Sequence, residues 1–215
     1  MQYNKNTNYC KDPLYHQQKS LLAREKGIRL IHIWEWEMRN EKTWNKLSKW
    51  IINELDQNKI KINVDNNYFI GLVDIDQEKE FINLYGLKEY AQSDICVGFF
   101  HNNELIQLLS FKRKNNDQYD IITHCAKHGY DTYNVRVFKL IINYFTCHHN
   151  PKKIIFYCSI DKLDNTLYKN AGFKLIKITS PQITWCDKNM NISDHQKPGY
   201  VSIFDCGLEI YEYMI

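Results

Sequence analysis

From residue 94 to residue 214 the chain alternates short apolar, β-rich runs with amphipathic helical ones. This alternation limits its fold more than any other feature. "DICVGFFHNNELIQLLSFKR" (94–113) predicts a hairpin that turns at His101-Asn102-Asn103. "YDIITHCAK" (119–127) predicts a third strand, "VRVFKLIINYFT" (135–146) an amphipathic helix, and "KKIIFYCS" (152–159) a strong strand. "DNTLYKNAG" (164–172) predicts a short helix, opened by Asp164 as N-cap and closed by Gly172. "FKLIKITSPQITWC" (173–186) reads as two strands broken at Ser180-Pro181, and "YVSIFDCGLEIYEYM" (200–214) as strand with a turn at Gly207. The order β-β-β-α-β-α-β-β defines an α/β chain with a mixed sheet and a few packed helices. Any β-α-β step in that sheet is expected to be right-handed.

Upstream, residues 15–26 have a helical pattern and Gly27 suits the position after a helix end. "IRLIHIW" (28–34) predicts a buried strand, and a helix around 43–56 places Trp44, Leu47, Trp50, Ile51 and Leu55 on one stripe. "YFIGLVDI" (68–75) predicts a strand and "EKEFINLYG" (78–86) a helix stopped by Gly86. The polar connector 57–67 is the expected domain boundary, giving an N-terminal segment 1–60 and a body 61–215.

The hydrophobic fraction of 44% is enough for a core, and a net charge of +3 neither demands nor excludes a nucleic-acid partner. No apolar run nears the ~20 residues of a membrane span, and the polar start lacks a signal-peptide pattern, so a soluble cytoplasmic protein is expected. Cys10, Cys96, Cys125, Cys147, Cys158, Cys186 and Cys206 are odd in number and include no CxxC pair, which fits reduced core thiols. Adjacent side chains such as Cys147-His148-His149 do not converge on one ion, so no metal site is expected there. Basic runs at Lys112-Arg113-Lys114 and Lys152-Lys153, among plentiful aromatics, are the candidates for phosphate contacts.

"DNTLYKNAGFKLIKI" resembles the GCN5-related N-acetyltransferase (GNAT) fold, through Asn165, Tyr168, Gly172 and Phe173. The resemblance implies acetyl-CoA as cofactor, and Tyr168 as the group that protonates the departing thiolate. It also implies a strand beside the acyl group, 119–127, where His124 is the candidate base with Asp120 nearby; Asn165 completes the catalytic set. The pyrophosphate is then expected at the loop "HGYDTYNVR" (128–136) and the helix it opens, on Gly129, Thr132, Tyr133, Asn134, Val135, Arg136 and Lys139. That fold usually carries Q/R-xx-G-x-G/A here; this chain has Gly129 alone.

"YHQQKSLLAREKGIRLIHIWEWEM" resembles the end of the nuclease domain in phage-type homing endonucleases, relatives of very-short-patch-repair nucleases. "ELIQLLSF", "NTLYKNAGF" and "SIFDCGLEIYEY" extend the likeness. Only Asp12 stands upstream to add a carboxylate to His16, Lys19, His32, Glu35 and Glu37, which implies a truncated helix-strand-helix relic. Together the two resemblances imply a phage- or mobile-element-type acetyltransferase. Its expected target is a lysine on a nucleic-acid-handling host protein such as a CRISPR effector, in an anti-defence role. The alternatives are a non-catalytic inhibitor that binds nucleic acid or protein, and a residual metal-dependent nuclease.

Overall fold

The computed structural model describes residues 12–62, 64, 67–131, 134–189 and 191–215. The chain forms two compact units that interleave along the sequence, whereas the sequence reading placed a single boundary at 57–67. One comprises Met1–Glu41, Cys158–Asp164 and Lys177–Glu209; the other comprises Lys42–Tyr157, Asn165–Ile176 and Ile210–Ile215.

In the first unit, α1 (Tyr15–Glu25) ends as expected: Gly27 takes φ +70°, a left-handed conformation open to glycine. The expected strand at 28–34 does not form. That stretch is irregular and runs into α2 (Glu35–Arg39), and Ile28 and Ile33 are exposed. Its main chain bonds to a loop instead of a ladder, with His32 N donating to Asp161 O at 2.9 Å. At the start of α2, Glu37 accepts from Trp34 N at 2.8 Å and from Lys162 Nζ at 3.0 Å. Arg24 ties the unit together by bonding Glu209 (2.8 Å), Leu163 O (2.8 Å) and Ile160 O (3.1 Å). A small antiparallel sheet completes it: β7 (Ile183–Cys186) lies between β8 (Ile192–Ser193) and β9 (Val201–Phe204).

The second unit contains α3 (Glu41–Leu55) from Lys42 onward and α4 (Ile75–Tyr85), and is centred on a larger sheet. Its strands are β1 (Tyr68–Leu72), β2 (Ile95–His101), β3 (Glu104–Arg113), β4 (Gln118–Ala126), β5 (Lys153–Ser159), β6 (Lys174–Ile178) and β10 (Leu208–Met214), in the order β1-β2-β3-β4-β5-β10-β6. The run β1 to β4 is antiparallel, and β4 pairs with β5 in parallel through the crossover helix α5 (Val135–His149). The mixed α/β architecture is the one expected from the sequence, and so is the order of elements from β2 onward except for the two-residue strand β8, which the sequence does not suggest.

The core lies where β3, buried at seven consecutive positions, meets α5. Val137, Phe138, Ile141, Ile142 and Phe145 recur at helical spacing and are all buried. Phe145 stacks on Phe111 at 3.7 Å and meets Tyr119 edge-on at 5.1 Å. The short helix α6 (Thr166–Ala171) starts one residue later than predicted. Asn165, not Asp164, is its N-cap, while Gly172 closes it at φ +104°. Gly86 does stop α4; its φ of −79° is open to any residue, but a Cβ there would lie 2.6 Å from Ile82 O, so the close approach of the main chain calls for glycine.

Candidate active site

The β4–β5 ladder is short. Its parallel register ends at Ile121↔Phe156, although β4 continues to Ala126. A bulge lies at that point. The β3–β4 register passes from Ser110↔Thr123 directly to Phe111↔Ile121, so Ile122 is the extra residue on β4. A bulge bends its strand and sharpens the local twist, and the β4–β5 register stops where it occurs. Past the bulge, Lys127 N still donates to Ile106 O at 2.8 Å. Antiparallel alternation counted back from that bond turns the peptide group of His124 away from β3, onto the side where the ladder with β5 has ended.

Two predicted site residues meet beside this opening. His124 Nδ1 lies 3.0 Å from Tyr168 Oη, and the Tyr168 ring packs against Phe156 at 4.1 Å and Phe138 at 5.6 Å. Tyr168 is buried on α6. The second ring nitrogen of His124 lies 2.9 Å from the side-chain nitrogen of Gln107, which is wholly buried on β3. Burial pushes the His124 pKa down to about 4, so the ring is neutral at physiological pH. Both nitrogens face protein partners, and a base this weak takes a proton poorly near neutrality. The geometry therefore suits His124 to orienting Tyr168 better than to acting as the base the sequence suggested. Asn165 is buried at the start of α6, where its carbonyl accepts from Lys169 N at 3.1 Å.

The expected pyrophosphate residues divide into three groups. Gly129 takes φ +84°, but its N–H donates to Asn53 Oδ1 at 2.7 Å and its carbonyl accepts from Ile60 N at 2.8 Å, so both peptide groups are committed to the α3 side of the unit. Thr132 and Tyr133 lie outside the described residues. At the start of α5 the Asn134 side chain accepts from Arg136 N at 3.0 Å and Val137 N at 3.3 Å, while Val135 opens the helix. These first-turn amides are the donors a phosphate would use, and Asn134 already holds two of them. Arg136 and Lys139 are exposed three residues apart on α5.

The other candidates are engaged elsewhere. Lys112 pairs with Asp94 at 2.9 Å, Lys114 with Asp120 at 3.6 Å, and Lys152 with Asp117 at 3.1 Å, so much of the charge in the basic runs is matched locally. In the first unit, Glu35 pairs with Arg39 at 2.5 Å, and the His16 ring packs edge-on against His32 and Trp34 at 5.3 and 5.0 Å. His32 bonds Ser20 Oγ at 2.8 Å, and burial first, then His16, lowers its pKa to about 4. Asp12 accepts from Leu14 N at 2.8 Å. Among the described residues no group of three His, Cys, Asp or Glu is placed to hold a metal ion, and no helix is long and apolar enough to cross a membrane.

Sequence reasoning missed Gln107 and the bulge. Gln107 did leave a signal, as the one polar residue inside the apolar run Leu105–Leu109. The bulge leaves none in its own residues, because it is defined by register against another strand.

No protein-family model matches the chain, and no curated protein matches it. Solved structures similar to it include a GNAT family acetyltransferase from Elizabethkingia anophelis with acetyl-CoA bound: 12% identical, covering 70% of this chain and 100% of that one, with a TM-score of 0.47. An acetyltransferase of Bacillus subtilis in complex with CoA is 12% identical over 69% of this chain and 98% of its own, with a TM-score of 0.48. An IAA acetyltransferase from Bacillus cereus is 11% identical over 69% and 100%, with a TM-score of 0.46.

Proposed function

We propose that the chain is an acyl-CoA-dependent N-acyltransferase, with acetyl-CoA as donor. The observation that carries this reading is the early end of the β4–β5 ladder at the Ile122 bulge, with the Tyr168–His124 pair beside it. An opened parallel pair offers peptide groups to an extended thioester arm, and acetyl-CoA supplies the activated thioester. At the His124 peptide the chain holds a donor and an acceptor for that arm. At Tyr168 Oη it holds a proton next to where a sulfur would leave. In the balanced step the acceptor nitrogen bonds the acyl carbon and gives a proton to solvent. The C–S bond breaks, sulfur takes the Tyr168 proton, and solvent restores it. Arg136 and Lys139 supply positive charge near the start of α5 for the phosphates.

The acceptor in this reading is a primary amine. A lysine on a nucleic-acid-handling protein is the acceptor class to test first. The test is incubation of the full chain with acetyl-CoA and a panel of lysine peptides and polyamines, read by mass spectrometry of the amine. An acetylated amine is expected, with turnover in Tyr168→Phe lower by about 10²- to 10⁴-fold, the range for a lost general acid. No acetylation of any amine, with no acetyl-CoA binding, would overturn it.

A second reading is a binding protein without catalysis. It is favoured by the Asn134 cap and the committed Gly129 peptides, which leave fewer amides for a pyrophosphate. Acetyl-CoA binding separates the two.

A further inference from the structure

We infer that Gln107 is a positioning residue that sets the tautomer of His124 and thereby makes Tyr168 Oη the acceptor of the bond between them. The inference rests on the acyltransferase reading for its purpose but on Gln107 geometry for its substance. Gln107 is fully buried, and its Nε2 lies 2.9 Å from His124 Nε2. An amide NH₂ only donates, so His124 Nε2 must accept. The neutral ring then carries its proton on Nδ1, which points at Tyr168 Oη 3.0 Å away. Tyr168 accepts from His124, and its own hydroxyl proton is not the one used in that bond.

The opposite amide orientation would reverse the chain. Gln107 Oε1 would accept from His124 Nε2–H, Nδ1 would accept the Tyr168 proton, and that proton would point inward. One observation decides against it, and one consequence of the proposed chemistry agrees. In the orientation present, the group left without a partner among the described residues is the carbonyl Oε1, whereas the reverse would strand a buried NH₂. Buried carbonyls are left single more readily than buried N–H groups. In addition, a Tyr168 that receives a bond from Nδ1–H has a donor in place to stabilise phenolate charge as its proton departs.

The test is ¹⁵N-histidine spectroscopy of the full chain near neutral pH, with the His124 signals assigned from His124→Gln. The wild type is expected to show His124 protonated at Nδ1. Gln107→Glu, which keeps the shape but replaces the donor with an acceptor, is expected to move that proton to Nε2. Its kcat for acetyl transfer should fall about tenfold to a hundredfold, with the KM for acetyl-CoA unchanged. Should the buried carboxylate prevent folding, Gln107→Met removes the donor without charge and should give His124 in mixed tautomers. A wild type protonated at Nε2 would overturn the inference whether or not the chain transfers acyl groups. The expected tautomers with an unchanged kcat in the variant would overturn the positioning role and leave acyl transfer standing. The expected tautomers in a chain that binds no acetyl-CoA would sink the acyltransferase reading and leave Gln107 as the setter of the tautomer.

Discussion

Replacing Asn134 with alanine should move stability and acetyl-CoA affinity in opposite directions. The Asn134 side chain caps α5 through bonds of 3.0 Å to Arg136 N and 3.3 Å to Val137 N. Removing an N-cap of this kind costs about 1 kcal/mol. In a chain of this length that is a fall of about 2–4 °C in melting temperature. The same change releases two first-turn amides at the end of the helix dipole that favours anions. Charge-assisted bonds are worth about 1.5–3 kcal/mol each. Even after the loss of local order, the freed amides should tighten acetyl-CoA by about tenfold, equivalent to ~1.4 kcal/mol. The assay is a melting curve for each protein, alone and with acetyl-CoA, together with a titration of the ligand. A variant that is less stable and binds acetyl-CoA no better, or worse, would refute the idea that Asn134 occupies the phosphate donors.

Three further outcomes are expected. Phe145→Ala removes a wholly buried ring stacked at 3.7 Å on Phe111 and should cost about 3–5 kcal/mol in urea unfolding; a loss under about 1 kcal/mol would contradict the placement of the core at the β3–α5 contact. Among the described cysteines, exposed Cys147 alone should react quickly with a thiol reagent in the native protein. Burial raises the Cys96 thiol and pushes Cys125 to about 12 and Cys206 to about 11, so Cys147→Ser should abolish the fast phase from these residues. Stability should fall as pH drops from about 6.5 toward 4, because the unfolded chain takes up protons that folded His124 and His32, both held near 4, refuse. For His124 the loss is on the order of 3 kcal/mol, and His124→Gln should flatten the pH dependence of denaturant midpoints over that interval.

What the sequence showed depended on the range over which each feature is determined. Strands β2 to β5 and helix α5 follow from local periodicity, and the structure has them within a residue or a few of the expected ends. Residues 28–34 have the same β-branched composition and still form no strand, because their main chain bonds the loop at Asp161 rather than a ladder. Tyr168 and His124 stood out as residue types in a motif and on a strand. Their contact, 44 residues apart in sequence, needed the fold. Gly129 stood out as the one glycine of the expected loop pattern, yet it spends its peptide groups on Asn53 and Ile60, partners no local pattern could supply. The bulge at Ile122 is a fact of register between β3 and β4, so the opening it makes was not legible in either strand alone.

The most direct test of the account is a stepwise titration of the ¹⁵N-labelled full chain with acetyl-CoA, followed in amide spectra. The amides of Ile122 and His124 are expected to shift together and saturate at one concentration, and the first turn of α5 to move with them. No saturable shift at those residues up to millimolar acetyl-CoA, or shifts confined to another part of the chain, would contradict the claim that the opening between β4 and β5 takes an acyl-CoA.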